Sequence, residues 1–154
     1  MAINCSNKRI GGRYMSKNKI SPKEYKKFIQ GLELKDLKVV YTKASVKESF
    51  TPPASVKLKM TPSYKLLKDN RVKVIHEYKL ECVRKGRKNP GFVVEVRYIV
   101  LYSSKSPMTK ELFKIFSESS LLLHTWPYFR QYVHQMTFLM NLPPLILDTV
   151  KVFV

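Results

Sequence analysis

The sequence predicts an α+β domain: a four-stranded antiparallel sheet, with a short amphipathic helix before it and a long helix after it. Three observations carry this. Apolar and polar residues alternate through four segments between residues 37 and 102. Apolar residues recur at three- and four-residue spacing on either side of that region. The helices are grouped at the ends rather than interleaved with the strands, which separates α+β from α/β. At 154 residues the chain holds one such domain with one modest core.

Residues 1–20 carry Lys8, Arg9, Arg13, Lys17 and Lys19, a Gly11-Gly12 pair and no acid, and read as a basic flexible tail. Residues 21–154 read as the single folded domain. Ser21-Pro22-Lys23-Glu24 is a capping box with proline at the first helical position. Tyr25, Phe28, Ile29 and Leu32 follow on one face, and Gly31 ends the helix. Docking on the protein's own sheet is the expected role for so short a helix.

The first strand is expected over Leu37 to Glu48, closed by Pro52-Pro53. The second, Val56 to Leu67, alternates Val56, Leu58 and Met60 against Lys57, Lys59 and Thr61, and Pro62 marks it as an edge or a bulge. Lys68 to Arg71 is a turn. The third strand, Val72 to Val83, places Val72, Val74, Tyr78, Leu80 and Cys82 on one face and Lys73, Glu77, Lys79 and Glu81 on the other. The fourth, Phe92 to Tyr102, places Phe92, Val94, Val96, Tyr98 and Val100 opposite Glu95 and Arg97. Short connections between sequential strands favour an antiparallel meander. Thr109 then opens a helical stretch through Leu112, Phe113, Ile115 and Phe116, and Ser117 to Ser120 predicts a kink.

The segment from Trp126 to Leu147 is the most distinctive. Thr125 is placed to cap a helix with Pro127 in its first turn. Phe129, Tyr132, Val133, Met136 and Met140 form its apolar stripe, and Asn141 with Pro143-Pro144 stops it. From Ser119 to Leu147 the only formal charge is Arg130. So uncharged a stretch in so basic a chain must be hidden, part of it against another subunit.

Trp126-Pro127-Tyr128 opening a long helix, then Leu142-Pro143-Pro144-Leu145-Ile146-Leu147, then Val150-Lys151-Val152-Phe153, resembles the C-terminal half of SecB, the protein-export chaperone. With the four strands the resemblance covers about residues 34 to 153. It implies a cytoplasmic, ATP-independent holdase that assembles as a dimer of dimers and takes unfolded clients into apolar grooves. On that resemblance Tyr128, Phe129, Val133, Met136 and Met140 match the subunit-interface helix. Leu142, Pro143, Pro144, Leu145 and Leu147 match the loop that walls the groove, next to Trp126, and Val40, Tyr41, Leu58 and Met60 match positions near its floor. The resemblance departs in two places. The second strand carries Lys57, Lys59 and Lys65 and no acid, which makes contact with the basic tail of the motor SecA doubtful. The chain also stops at Val154 without an acidic tail. Both departures are more similar to the SecB-like chaperones of toxin–antitoxin systems, whose client is an aggregation-prone antitoxin segment.

The composition bounds the alternatives. The net charge of +18 favours acidic partners, and a basic nucleic-acid-binding protein is the alternative reading. Non-specific attraction to nucleic acid is expected even of a chaperone this basic. No apolar run spans a bilayer, so no membrane insertion is expected. Cys5 and Cys82 make no disulfide framework. His76, His124 and His134 are scattered away from the cysteines, so no metal site is expected. There is no phosphate loop and no catalytic constellation, so neither a cofactor nor an enzyme is expected.

Overall fold

The computed structural model describes residues 20–150. The expected basic tail lies outside them except for Ile20, as does the end of the Val150-Lys151-Val152-Phe153 motif. The elements run α1 (Pro22–Gln30), β1 (Leu32–Val46), β2 (Ala54–Leu66), β3 (Arg71–Arg84), β4 (Phe92–Ser104), α2 (Lys110–Glu118) and α3 (Ser120–Leu139). This is the α+β architecture expected, a four-stranded antiparallel sheet with the long helix last.

The capping box forms at both ends: Ser21 Oγ accepts from Glu24 N, and Ser21 N donates to Glu24 Oε2 at 2.8 Å. Phe28 is the buried residue of α1. Tyr25 Oη ties the helix to Ser119 Oγ at 2.8 Å and Ser120 Oγ at 3.1 Å, at the junction of α2 and α3.

The strand order is β1-β4-β3-β2, so the meander covers only β2, β3 and β4. β1 pairs with the last strand instead of its sequence neighbour, which makes the sheet a Greek key. Residues 47–53 therefore carry the chain across the end of the sheet. Lys47 N donates to Gly91 O at 2.8 Å, and Phe50 lies where a side chain on Gly91 would have to sit. β1 also begins earlier than expected, because Gly31 ends α1 and Leu32 pairs at once with Ser104.

Two register shifts interrupt β1, between Leu34 and Asp36 and between Val39 and Tyr41. Each adds one unpaired residue and moves the following side chains to the other face. Residues opposite the inward row of β4 are thus Leu32, Leu34, Leu37, Val39, Thr42, Ala44 and Val46. β2 is the other edge, and Pro62 pairs with His76 in unbroken register, as an edge proline should. Asp69 and Asn70, both at positive φ, form the two-residue turn to β3.

The inward faces of β3 and β4 are buried from Val72 to Cys82 and from Phe92 to Tyr102, as their alternation predicts. The helices cover them. Phe129 stacks on Tyr78 with ring centroids 4.4 Å apart, and Trp126 and Phe116 meet Tyr78 and Tyr102. α3 begins at Ser120, six residues before Trp126, so Thr125 is not its cap and Pro127 lies inside it. The chain bends at Ser119 (φ −130°, ψ −90°), and the buried Leu121 and Leu122 carry the helix forward from there. Tertiary burial outweighs the weak helix propensity of the serines.

Candidate functional site

α3 ends in a left-handed cap. Asn141 takes φ 53°, Leu142 N donates to Thr137 O at 2.9 Å, and Asn141 N donates to Phe138 O at 3.1 Å. These two bonds make a Schellman motif and turn the chain back along the helix it has left. The returning strip is pinned from α3: Arg130 Nε donates to Leu147 O at 2.7 Å and Trp126 Nε1 donates to Asp148 O at 2.8 Å. The only charge of this segment is thus spent holding the strip. Its side chains alternate, with Leu145 and Leu147 in the core and Ile146 70% exposed. Leu142 and Pro143 are half-buried and Pro144 is exposed.

The groove residues named from the sequence divide into three groups. Leu58 and Met60, opposite Leu80 and Tyr78, are half-buried on the helix side and pack on the same core as Leu142 and Leu145. Trp126, Leu145 and Leu147 are inside that core. Tyr41 is on the other face of the sheet, because the bulge at Val40 reverses its side. There it donates to Glu95 Oε2 at 3.4 Å beneath the Arg97 guanidinium, 5.7 Å from the ring centroid. Val40 itself is exposed in the bulge.

The interface residues divide likewise. Phe129 and Val133 are fully buried against the chain's own sheet, Met136 and Met140 are half-buried, and Tyr128 is exposed. The outward face of α3 instead shows Leu123, Tyr128, Phe138 (77% exposed) and Leu139. Leu123, Phe138 and Leu139 were not singled out from the sequence. Their signal is that they fall off the core stripe within a segment holding one charge. Beside Tyr128 a depression of about 230 Å³ lies between α3 and the β1–β4 edge of the sheet, lined by Val39, Tyr98, Tyr128, Gln131, Tyr132 and Gln135.

Beneath α3 lies one buried polar cluster. Thr125 Oγ1 is 2.9 Å from His76 Nδ1 and 2.7 Å from Tyr78 Oη, and donates to Leu121 O at 3.1 Å. Threonine has one hydroxyl proton, so with Leu121 O accepting it, His76 Nδ1–H and Tyr78 O–H both donate to Thr125. Burial pushes His76 down to about 4 and raises Tyr78 well above the usual phenol range, so both are neutral here. Burial lowers His124 too, next to Tyr102 Oη at 2.7 Å. Among the described residues no group of three or more His, Cys, Asp or Glu could hold a metal ion.

The open face of the sheet carries ion pairs beside the half-buried Ile75, Val93, Ile99 and Leu101. Arg97 Nε donates to Glu77 Oε1 at 2.6 Å, and Lys79 reaches Glu81 at 3.2 Å and Glu95 at 3.6 Å. The hydrogen bond that Lys79 donates to the Glu81 carboxylate raises its ammonium pKa above the ordinary value. No helix among the described residues is long and apolar enough to cross a membrane.

No protein-family profile and no curated protein matches the chain. Among solved structures it is similar to the Mycobacterium tuberculosis Rv1957 SecB-like chaperone, in complex with a ChAD peptide from the Rv1956 HigA1 antitoxin. That match has a TM-score of 0.70 at 17% identity and covers 82% of this chain and 95% of that one. A protein of unknown function from Streptococcus agalactiae matches at a TM-score of 0.41 and 11% identity, over 77% of this chain and 97% of that one. The four-stranded sheet with its long final helix therefore has the fold seen in that SecB-like chaperone, the resemblance carried in the sequence by the four strands and the run from Trp126 to Leu147.

Proposed function

We propose that this chain is a SecB-like, ATP-independent and non-enzymatic holdase for aggregation-prone polypeptide segments. One observation carries the reading: Tyr128, Phe138, Leu139 and Ile146 are exposed on a segment with a single charge, in a chain of net charge +18. Large apolar side chains left open in so charged a protein mark surfaces meant to be covered. The client lies on the β2 side, across Leu58, Met60, Leu142 and Ile146, with Pro143 and Pro144 as a stiff wall. Methionine and leucine there suit clients of varied shape. Binding withdraws the unfolded client by mass action and needs no nucleotide. Self-association covers the outward face of α3, through Leu123, Tyr128, Phe138 and Leu139. The antitoxin peptide on the Mycobacterium tuberculosis protein supports a client of that kind, in the cytoplasm, over a preprotein bound for export. The lysines of β2 weigh against docking of a basic SecA tail.

The test is the aggregation of a chemically denatured reporter at stoichiometric chaperone, read by light scattering, with the wild type and with Leu142→Glu/Ile146→Glu. Suppression by the wild type that is lost in the variant is the expected result. A wild type that leaves aggregation unchanged sinks the reading. In the same samples the solution mass should be a multiple of 18.0 kDa, and Phe138→Glu/Leu139→Glu should lower it.

A further inference from the structure

The outward positions of β2 are Ser55, Lys57, Lys59, Thr61, Ser63 and Lys65, every one a lysine or a hydroxyl. They lie on the face away from α3. Lys59 stands directly opposite Lys79, and Lys65 directly opposite Lys73. Like charges facing each other across a ladder, with Cβ atoms about 5 Å apart, destabilise it. The carboxylates next to them are already taken: Glu77 by Arg97, and Glu81 and Glu95 by Lys79. Lys57, Lys59, Lys65 and Lys73 have no carboxylate within 4.0 Å among the described residues.

We propose that this open face is a second binding surface, separate from the client side, and that it takes an acidic polypeptide segment in extended form. An extended chain repeats its side chains every two residues, about 7 Å, which is the spacing of Lys57 and Lys59 on their own strand. An acidic segment along β2 sets a carboxylate between Lys65 and Lys73, removing their repulsion, and gives Lys57 and Lys59 the partners that Lys79 has already in Glu81 and Glu95. It lies on the face and does not extend the edge, because Pro62 supplies no donor to a further strand. Single-stranded nucleic acid fits less well. It needs aromatic rings for its bases to stack on, and β2 offers none outward, while Tyr41 is already beneath Arg97.

Fluorescence anisotropy of a labelled oligoglutamate tests this. The wild type should bind it with an affinity that falls as salt rises. Lys57→Glu/Lys59→Glu/Lys65→Glu should weaken binding at least about tenfold, three exposed ion pairs lost and reversed. Lys23→Glu/Lys26→Glu/Lys27→Glu makes the same change of net charge on α1 and should weaken it less than about threefold. The β2 variant should also gain binding of labelled oligolysine, which an unfolded variant does not do selectively over the α1 variant. Equal losses in the two variants overturn the proposal, since net charge alone then explains binding. Displacement of the peptide by a lower concentration of oligouridylate also overturns it and assigns the face to nucleic acid. The client side is on the opposite face of the sheet, so a failed aggregation assay leaves this result standing.

Discussion

Thr125→Val removes the centre of the buried polar cluster without changing its shape. Valine fills the threonine's volume and is tolerated in a helix, so packing is preserved. What is lost is the acceptor shared by His76 Nδ1 at 2.9 Å and Tyr78 Oη at 2.7 Å, all three residues at most 1% exposed. Each buried donor left without a partner costs about 1–3 kcal/mol, and partial relaxation of the tyrosine hydroxyl brings the pair to about 3 kcal/mol. Tyr78→Phe alone should cost only about 1 kcal/mol, because Thr125 keeps its other partners and no orphan is created. The double variant should then cost about 1 kcal/mol less than the sum, since the phenol orphaned by valine is gone. Urea unfolding at fixed protein concentration, followed by the fluorescence of Trp126, reads all three. With a slope of about 2 kcal/mol per molar, Thr125→Val lowers the midpoint by about 1.5 M. A loss under about 1 kcal/mol, or additivity of the two substitutions, would refute the shared-acceptor account.

The same cluster sets a pH dependence. His76 titrates near 6.5 when unfolded and at about 4 when folded, so the unfolded chain binds the extra proton between those values. Stability is therefore complete above about pH 6.5 and falls on acidification toward pH 4, by about 3 kcal/mol, while His76→Gln should flatten that slope in thermal melts. Asn141→Ala forces alanine into the left-handed cap and should cost about 1 kcal/mol in urea unfolding, whereas Asn141→Gly should be near neutral. Gly91→Ala has no room against Phe50 and should cost about 1–3 kcal/mol by the same measurement. Ser21→Ala removes the acceptor for Glu24 N, while the bond from the residue 21 backbone N–H to Glu24 Oε2 remains, and should lose about 1 kcal/mol, seen first as faster hydrogen exchange in α1.

Much of the sheet was legible because its signal is local. Alternation from Val72 to Cys82 and from Phe92 to Tyr102, broken by Ile75, His76, Val93, Ile99 and Leu101, puts the larger apolar residues on one face, and the structure buries that face. Pro62 announced its edge. The pairing of β1 with β4 was not legible, since it joins residues far apart in sequence and no turn encodes it. The start of α3 misled for a physical reason. Thr125-Trp126-Pro127 has the chemistry of a helix start, but the Thr125 hydroxyl is used by His76 and Tyr78, and Leu121 and Leu122 reward a longer helix. Tyr41 is grouped with Val40, Leu58 and Met60 by the resemblance, and the bulge at Val40 puts it on the other face of the sheet from Leu58 and Met60. A clue was present: Leu32, Leu34, Leu37, Val39, Thr42, Ala44 and Val46 are spaced 2, 3, 2, 3, 2 and 2 apart, and each step of three marks a bulge.

Those two bulges have a consequence for misassembly. β1 is a long outer strand with Leu34, Val39, Val40 and Tyr41 exposed, the composition that invites a foreign strand to zip alongside. Zipping needs a common beat between the two chains. β1 changes its beat twice, so between the bulges only Asp36 to Val39 keep step, and after them only Tyr41 to Val46. A straight strand laid on this edge keeps step with it for at most six residues at a time. A protein whose exposed apolar surface should attract sticky chains thus carries, on the longer free edge of its described sheet, a strand that twice breaks step with any straight partner.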